Sequence, residues 1–270
     1  MQAIPYRALR VYEGEGGHFS RRIESCSTEG LPPGEVLLRV RYSSLNYKDA
    51  LSASGNKGIT RQYPHTPGID AAGEVAESSD PRWRLGQQLI VTSYDLGMNT
   101  PGGFGQYIRV PGDWCVALPE GLSLYESMAL GTAGFTAGLA LHKMERMGQH
   151  PAMGPVVVTG ASGGLGCLAV ALLAGRGYEV IALSGKPEAE PFLRKLGAAQ
   201  VQGREYARDE GGRPLLRPRW AGAIDAAGGQ TLSTLARACA REGSIAVCGL
   251  VDSPQLSLSV YPFLLNGINL

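Results

Sequence analysis

The sequence predicts an α/β protein in two parts: a strand-rich first part closing as a barrel or sandwich, and a second part built on a doubly wound parallel sheet. Three observations predict this. Short strand-like runs broken by Gly, Pro, Asn and Asp fill residues 1–125. Strands and helices alternate through residues 126–270, the pattern of a parallel sheet with helices on both faces. A helical stretch from about Leu124 to Met147 joins the two.

In the first part the clearest strand is Val36 to Tyr42. There Val36, Leu38, Val40 and Tyr42 alternate with Leu37, Arg39 and Arg41, as expected of a half-buried strand. Pro32-Pro33-Gly34 punctuates its start. Further strands are expected over Ala72 to Ala76, Gln88 to Thr92 and Gln106 to Val110. In the second part Val156-Val157-Val158-Thr159 reads as a strand buried on both faces. Leu165, Leu168, Ala169, Leu172 and Leu173 follow helical spacing. Glu179 to Ser184 is the next strand, and Glu188 to Leu196 a helix with Pro191 in its first turn. Strands at Ile224 to Ala226 and Ile245 to Cys248 flank a helix from about Thr231 to Ala240.

Composition excludes several classes of partner. The formal net charge of +1 provides no bulk field for nucleic acid or an anionic membrane. No apolar run approaches the ~20 residues of a membrane span. The five cysteines form no Cys-x-x-Cys pair, and Met1-Gln2-Ala3-Ile4-Pro5-Tyr6 lacks the pattern of a secretory leader. Reduced thiols and a cytoplasmic location are the expectation. The 38 glycines, twice the ~7% norm, imply tight turns or backbone lying close to a ligand.

One glycine cluster has a specific context. Gly160-Ala161-Ser162-Gly163-Gly164-Leu165-Gly166 follows a predicted strand and opens a predicted helix. The run Ala161-x-Gly163-x-x-Gly166 is a variant of the dinucleotide fingerprint. Gly163 would let backbone approach a pyrophosphate, and Gly166 would let helix pack on strand. The helix N-terminus would offer amides and partial positive charge to the phosphates. At the end of the next strand, where an NAD site places Asp or Glu, stand Ser184, Gly185 and Lys186. A hydroxyl and a cation suit a 2′-phosphate, and Arg204 can add a second cation, so NADPH is expected over NADH.

The turn also fits the short-chain dehydrogenases. Those enzymes need a later Tyr-x-x-x-Lys, yet Tyr178, Tyr206 and Tyr261 are followed four positions on by Ala182, Glu210 and Leu265. Several segments together resemble instead the zinc-free medium-chain dehydrogenase/reductases, in the branch of acrylyl-CoA reductases and quinone oxidoreductases. They are Ser43-Ser44-Leu45-Asn46-Tyr47-Lys48-Asp49-Ala50-Leu51, Pro67-Gly68-Ile69-Asp70, Gly131-Thr132-Ala133-Gly134-Phe135-Thr136-Ala137, the glycine turn, Ser184-Gly185-Lys186, Trp220 to Asp225, and Cys248-Gly249-Leu250.

The resemblance implies a chaperonin-10-like barrel that carries substrate chemistry over 1–125 and a Rossmann NADPH-binding domain over 126–270. It implies that Thr132, Thr136, Gly249 and Leu250 border the cofactor, with ordinary helix capping the alternative for the threonines. Tyr47 would lie at the nicotinamide end. Zinc-dependent relatives carry Gly-His-Glu where Gly68-Ile69-Asp70 stands, and His18, His65, His142 and His150 are scattered, so no metal is expected. Reduction of a carbon–carbon double bond in an α,β-unsaturated carbonyl needs hydrogen-bond donors for a developing enolate oxygen and a proton source. Asn46 and Tyr47 are the candidates; the alternative for Tyr47 is a barrel-wall aromatic with a satisfied hydroxyl. Lys48 and Asp49 read as a surface or interdomain polar pair. Gly102 to Gly105 reads as a turn into a strand, since no helix pattern follows it.

The expected substrate is a small molecule, an acyl-CoA or enone, and the expected assembly a homodimer. Relative to the family the chain reads as C-terminally truncated, with the last part of the sheet missing and an open edge strand. A quinone reductase and a non-catalytic NADPH-binding module are the alternatives.

Overall fold

The computed structural model describes residues 3–270; Met1 and Gln2, the start of the stretch read for a leader, lie outside the described residues. The chain divides into two units, one ending at Thr132 and the other running Ala133–Leu270.

The first unit is antiparallel. Strands β1 (Pro5–Glu13) and β2 (Phe19–Ser27) form a hairpin with Pro5 opposite Ser27. Strands β3 (Val36–Tyr42), β4 (Asp70–Ser78), β5 (Gln88–Thr92), β6 (Tyr107–Val110) and β7 (Cys115–Ala117) form a five-stranded sheet ordered β6-β3-β4-β5-β7. Bridges from Ala8 to Gly105 and from Val11 to His65 tie the hairpin to the loops around this sheet. Val36, Leu38, Ala71, Val75, Leu89, Val91, Ile108 and Val110 fill the core. Helix α1 (Tyr47–Ala53) sits between β3 and β4 in the chain.

The second unit has the parallel sheet. Its strands are β8 (Val156–Val158), β9 (Val180–Leu183), β10 (Gln200–Gln202), β11 (Trp220–Asp225) and β12 (Cys239–Val247), ordered β10-β9-β8-β11-β12. The order runs outward in both directions from β8, as in a doubly wound sheet. Val156, Val157 and Val158 are all fully buried, which is why β8 reads as an unbroken β-branched run. Helix α2 (Leu124–Arg146) runs from the first unit into the second and breaks at Gly131, where φ is 52° and ψ −157°. Helices α3 (Gly164–Gly175), α4 (Glu190–Lys195), α5 (Gly229–Arg237) and α6 (Tyr261–Asn266) complete the unit. No helix among the described residues is long and apolar enough to cross a membrane.

Several expectations change. β1, β2 and β7 were not foreseen, because Arg7, Arg10, Arg21 and Arg22 interrupt any apolar alternation in the hairpin. Leu37, expected to face outward, is fully buried, while Tyr42 is 45% exposed. β3 is thus covered on both faces at its start and open at its end. The helix expected from Glu188 begins as a 3-10 turn over Pro187–Ala189. Beyond β12, Asn269 bridges Ser244 in parallel: the Ile245 amide donates to the Asn269 carbonyl at 2.9 Å and the Asn269 amide to Gly243 at 2.9 Å. The expected open edge of β12 is therefore met midway by the chain itself.

A buried polar clamp joins the ends of β8 and β11. Thr159 Oγ1 donates to Asp225 Oδ1 at 2.6 Å and accepts from the Ala226 amide at 2.8 Å. Asp225 also takes the Gly228 amide at 2.8 Å. Replacing Thr159 by Val leaves the fully buried Asp225 short of a donor, and should lower stability by about 1–3 kcal/mol, read as a lower denaturant midpoint at unchanged m-value.

Candidate functional site

In the second unit the glycine turn links β8 to α3. The Gly163 amide donates back to the Gly160 carbonyl at 2.9 Å, closing the turn. The Ala161 amide donates to Leu183 at 3.0 Å, anchoring the turn to β9. No side chain caps α3, so its first amides are left for a ligand or water. A Cβ on Gly166 would lie 2.2 Å from the Gly160 oxygen and 2.7 Å from the Ala161 Cα, both backbone. A Cβ on Gly164 would meet open space. The turn is thus tight against the sheet at Gly166 and open outward at Gly163 and Gly164, both exposed; Leu165, which follows them, is half-buried. An anion can reach amides on that open side.

The end of β9 lies beside this turn. Ser162 Oγ and Ser184 Oγ are 2.9 Å apart, and Ser184 Oγ accepts the Lys186 amide at 3.0 Å. Arg204 folds over Gly185, where a Cβ would come 2.4 Å from its Nε. A side chain at 185 would make the Arg204 guanidinium shift. Lys186 and Arg204 are exposed and belong to none of the ion pairs found among the described residues. The Arg204 guanidinium and the Ser184 hydroxyl thus both lie at the end of β9, a place within two residues of Lys186 in the chain. Gly249 packs on the Ala226 carbonyl, Leu250 beside it is 64% exposed, and Thr136 lies half-buried on α2.

The first unit contains a second polar centre that sequence reasoning missed. Asp70, the first residue of β4, is fully buried. Its Oδ2 accepts from Ser44 Oγ at 2.5 Å, Asn46 Nδ2 at 2.9 Å and the Thr132 amide at 3.0 Å. Its Oδ1 accepts from Thr92 Oγ1 at 2.6 Å and Thr132 Oγ1 at 2.6 Å. Burial alone would raise the Asp70 pKa, but the donors, led by Ser44, Thr132 and Thr92, outweigh it and hold the pKa below the usual carboxylate range. The available signal was a carboxylate at the head of an apolar strand, following Gly68-Ile69 and a serine–asparagine run.

Asn46 is held twice. Its side-chain amide donates to Asp70, and its backbone amide donates to Asp49 Oδ2 at 2.8 Å. Asp49 also takes the Ile69 amide at 2.9 Å. Of the expected surface or interdomain polar pair of Lys48 and Asp49, the surface reading of Asp49 is corrected: Asp49 is buried, and burial pushes its carboxyl up despite these amides. Its backbone partners explain the burial, since a carboxylate at a helix start satisfies amides that otherwise have none. Tyr47 is 81% exposed, and no hydroxyl partner is found among the described residues, so it is not a barrel-wall aromatic. Thr132 starts the part of α2 after the break and spends its amide and hydroxyl on Asp70.

An antiparallel unit followed by a parallel sheet with an uncapped glycine turn defines the architecture of the medium-chain dehydrogenase/reductases. Residues 32–120 match the alcohol dehydrogenase GroES-like domain and residues 164–270 the zinc-binding dehydrogenase family. YhfP of Bacillus subtilis, provisionally named a quinone oxidoreductase, is 45% identical over 98% of this chain and 80% of its own length. The acrylyl-CoA reductase AcuI of Ruegeria pomeroyi is 44% identical over 95% of this chain and 78% of its own. The YhdH oxidoreductase of Salmonella enterica, solved with NADP, superposes with a TM-score of 0.94 at 42% identity, covering 97% of this chain and 80% of that one. YhfP, solved with NAD, gives 0.96 at 44% identity, covering 98% and 80%. The chain belongs to the medium-chain dehydrogenase/reductase family, among its quinone oxidoreductase and acrylyl-CoA reductase members.

Three variants test the geometry. Gly166→Ala should cost about 1–3 kcal/mol of stability through its clash with backbone, whereas Gly164→Ala should change the melting temperature little. Asp70→Asn puts an amide among five donors and should cost about 3 kcal/mol at neutral pH. Because the folded pKa of Asp70 is depressed, its contribution is present above the unfolded value near ~3.9 and is lost as pH falls through the folded value. The variant's stability should therefore fall less than that of the wild type between about pH 5 and pH 2, as urea midpoints across that range would show.

Proposed function

We propose that the protein is an NADPH-dependent reductase of the carbon–carbon double bond in α,β-unsaturated carbonyl compounds, with acrylyl-CoA the preferred substrate. The observation that carries this reading is the Arg204 guanidinium over Gly185, next to Lys186 in the chain, at the end of β9 beside the open glycine turn, with neither cation in an ion pair found among the described residues. Neither residue is offset by a carboxylate at the position that would bind a free 2′-hydroxyl. The turn, Ser162, Ser184, Gly185, Lys186 and Arg204 fit the phosphates of NADPH. Thr136, Gly249 and Leu250 are proposed to line the rest of its path. The relative solved with NADP supports this choice, and the relative solved with NAD makes it worth testing.

When bound, the reduced nicotinamide supplies a hydride for the β-carbon. The chain must then stabilise an enolate oxygen and deliver a proton to the α-carbon. Asn46 suits the first task. Asp70 engages its amide nitrogen, which has two hydrogens, so one remains for a carbonyl oxygen. Its orientation is fixed beforehand by Asp70 and Asp49, so little reorganisation accompanies the reaction. Tyr47, exposed and with a free hydroxyl, suits proton delivery.

Zinc is not part of the proposal. Among the described residues no three His, Cys, Asp or Glu side chains gather as a metal would need. The chain's own donors already occupy Asp70. A conjugate reduction can run on hydrogen-bond donors alone, whereas alcohol oxidation loses its Lewis acid.

Steady-state NADPH oxidation with acrylyl-CoA, simple enones and a quinone, with NADH as control, tests the reading. Preference for the quinone would replace it with a quinone reductase. Cofactor binding without turnover of any of these compounds would leave a binding module. Lys186→Ala should raise the KM for NADPH about 10-fold and the KM for NADH far less; equal shifts would remove Lys186 from 2′-phosphate recognition. Tyr47→Phe should lower kcat for acrylyl-CoA at saturating NADPH by about 10²-fold, and unchanged turnover would remove Tyr47 from the chemistry.

A further inference from the structure

The first unit carries a cavity of about 390 Å³ whose wall contains two guanidinium groups and no carboxylate. Arg7 comes from β1 and Arg41 from β3. The Arg7 guanidinium forms no ion pair or hydrogen bond among the described residues; only its backbone is engaged, with Gln106 at 2.8 Å. Arg41 is steadied by Glu74 at 2.8 Å, which fixes its direction and offsets part of its charge. Beside these cations the wall is mixed: Leu9, Val40, Phe104 and Ile23 are apolar, the last 62% exposed, and Ser43 and Gln106 are polar.

The cavity also borders the candidate chemistry of its own unit. Ser43 and Gly103 line it, and Ser43 Oγ donates to the Asp70 carbonyl at 2.7 Å. Ser44 and Asn46, which hold the Asp70 carboxylate, follow directly in the chain. An open, amphipathic cavity with an unneutralised cation suits a long ligand that is apolar along its length and anionic at its end. A quinone or a simple enone has no anionic group for Arg7.

We propose that this cavity is the subsite for the phosphorylated pantetheine arm of a coenzyme A thioester, with Arg7 the anion contact and Arg41 a second cation at the rim. The proposal rests on the reading of the protein as an enoyl reductase and says which substrates that site prefers. It also gives the β1–β2 hairpin a task beyond closing the unit.

The test compares two thioesters with the same acyl group, acrylyl-CoA and the acrylyl thioester of N-acetylcysteamine, which lacks the phosphates. The full chain should show a higher kcat/KM for acrylyl-CoA, and the ratio between the two substrates should fall about 10-fold in Arg7→Ala, through KM, with Arg7→Lys restoring most of it. Higher salt should lower the same ratio in the wild type and less so in Arg7→Ala. A ratio unchanged by Arg7→Ala overturns the subsite even if both thioesters are reduced. If neither thioester is reduced, the enoyl-reductase reading fails. Calorimetric titration of coenzyme A into wild type and Arg7→Ala then decides the subsite alone: saturable binding weakened about 10-fold by the variant supports it, and equal or absent binding overturns it.

Discussion

The first unit depends on one carboxylate. Asp70 is fully out of solvent and ionised, a state that would be costly without compensation. Five hydrogen bonds supply it, and they come from three separate stretches of chain: the serine–asparagine run after β3, the end of β5, and the break in α2, all converging on the start of β4. A buried charge of this kind restricts each of those stretches to one geometry, because moving any of them leaves a donor or the carboxylate unsatisfied. The break at Gly131 follows from the same constraint. A Cβ there would come 2.3 Å from Ser44 Oγ and 2.9 Å from Asp70 Oδ2, so the helix gives way to let Thr132 present both its amide and its hydroxyl.

The second unit solves a different problem with less charge. Its buried carboxylate, Asp225, is pushed up by burial and ties the ends of β8 and β11 through Thr159. The exposed cations stay outside, at Lys186 and Arg204. Inside, the turn is fixed by backbone contacts, from Gly163 to Gly160 and from Ala161 to Leu183. Fixed dipoles and a tight glycine contact at Gly166 then present amides outward with no side chain needed to shape them.

What the sequence shows depends on how local the determinant is. β3 and β5 were legible to the residue, because each is bounded by turn residues and carries its own pattern. The glycine turn was legible because strand, turn and helix are contiguous. The hairpin β1–β2 was hidden by its arginines, which belong to a surface and not to a core. Asp70 was hidden for a deeper reason. Its partners lie 26 residues before it, 22 after and 62 after, so no window of sequence contains the network. Asp49 was misjudged on similar grounds: a charged residue beside a lysine looks solvated until the helix start that buries it is placed.

The site residues that could be named from sequence divide by the same criterion. Ser184, Gly185 and Lys186 are adjacent in the chain, so their grouping needed no fold. Arg204 did, and its place over Gly185 is a tertiary fact that turns a remote arginine into part of the cluster. The absence of a side chain at 185 is then a requirement of charge placement, and not of turn geometry. A side chain there would make the guanidinium shift from its place over the end of β9 and carry positive charge away from a phosphate that would sit there. Selectivity between the two nicotinamide cofactors would on this account rest in part on Gly185, because its missing side chain decides where the Arg204 charge sits relative to the end of β9.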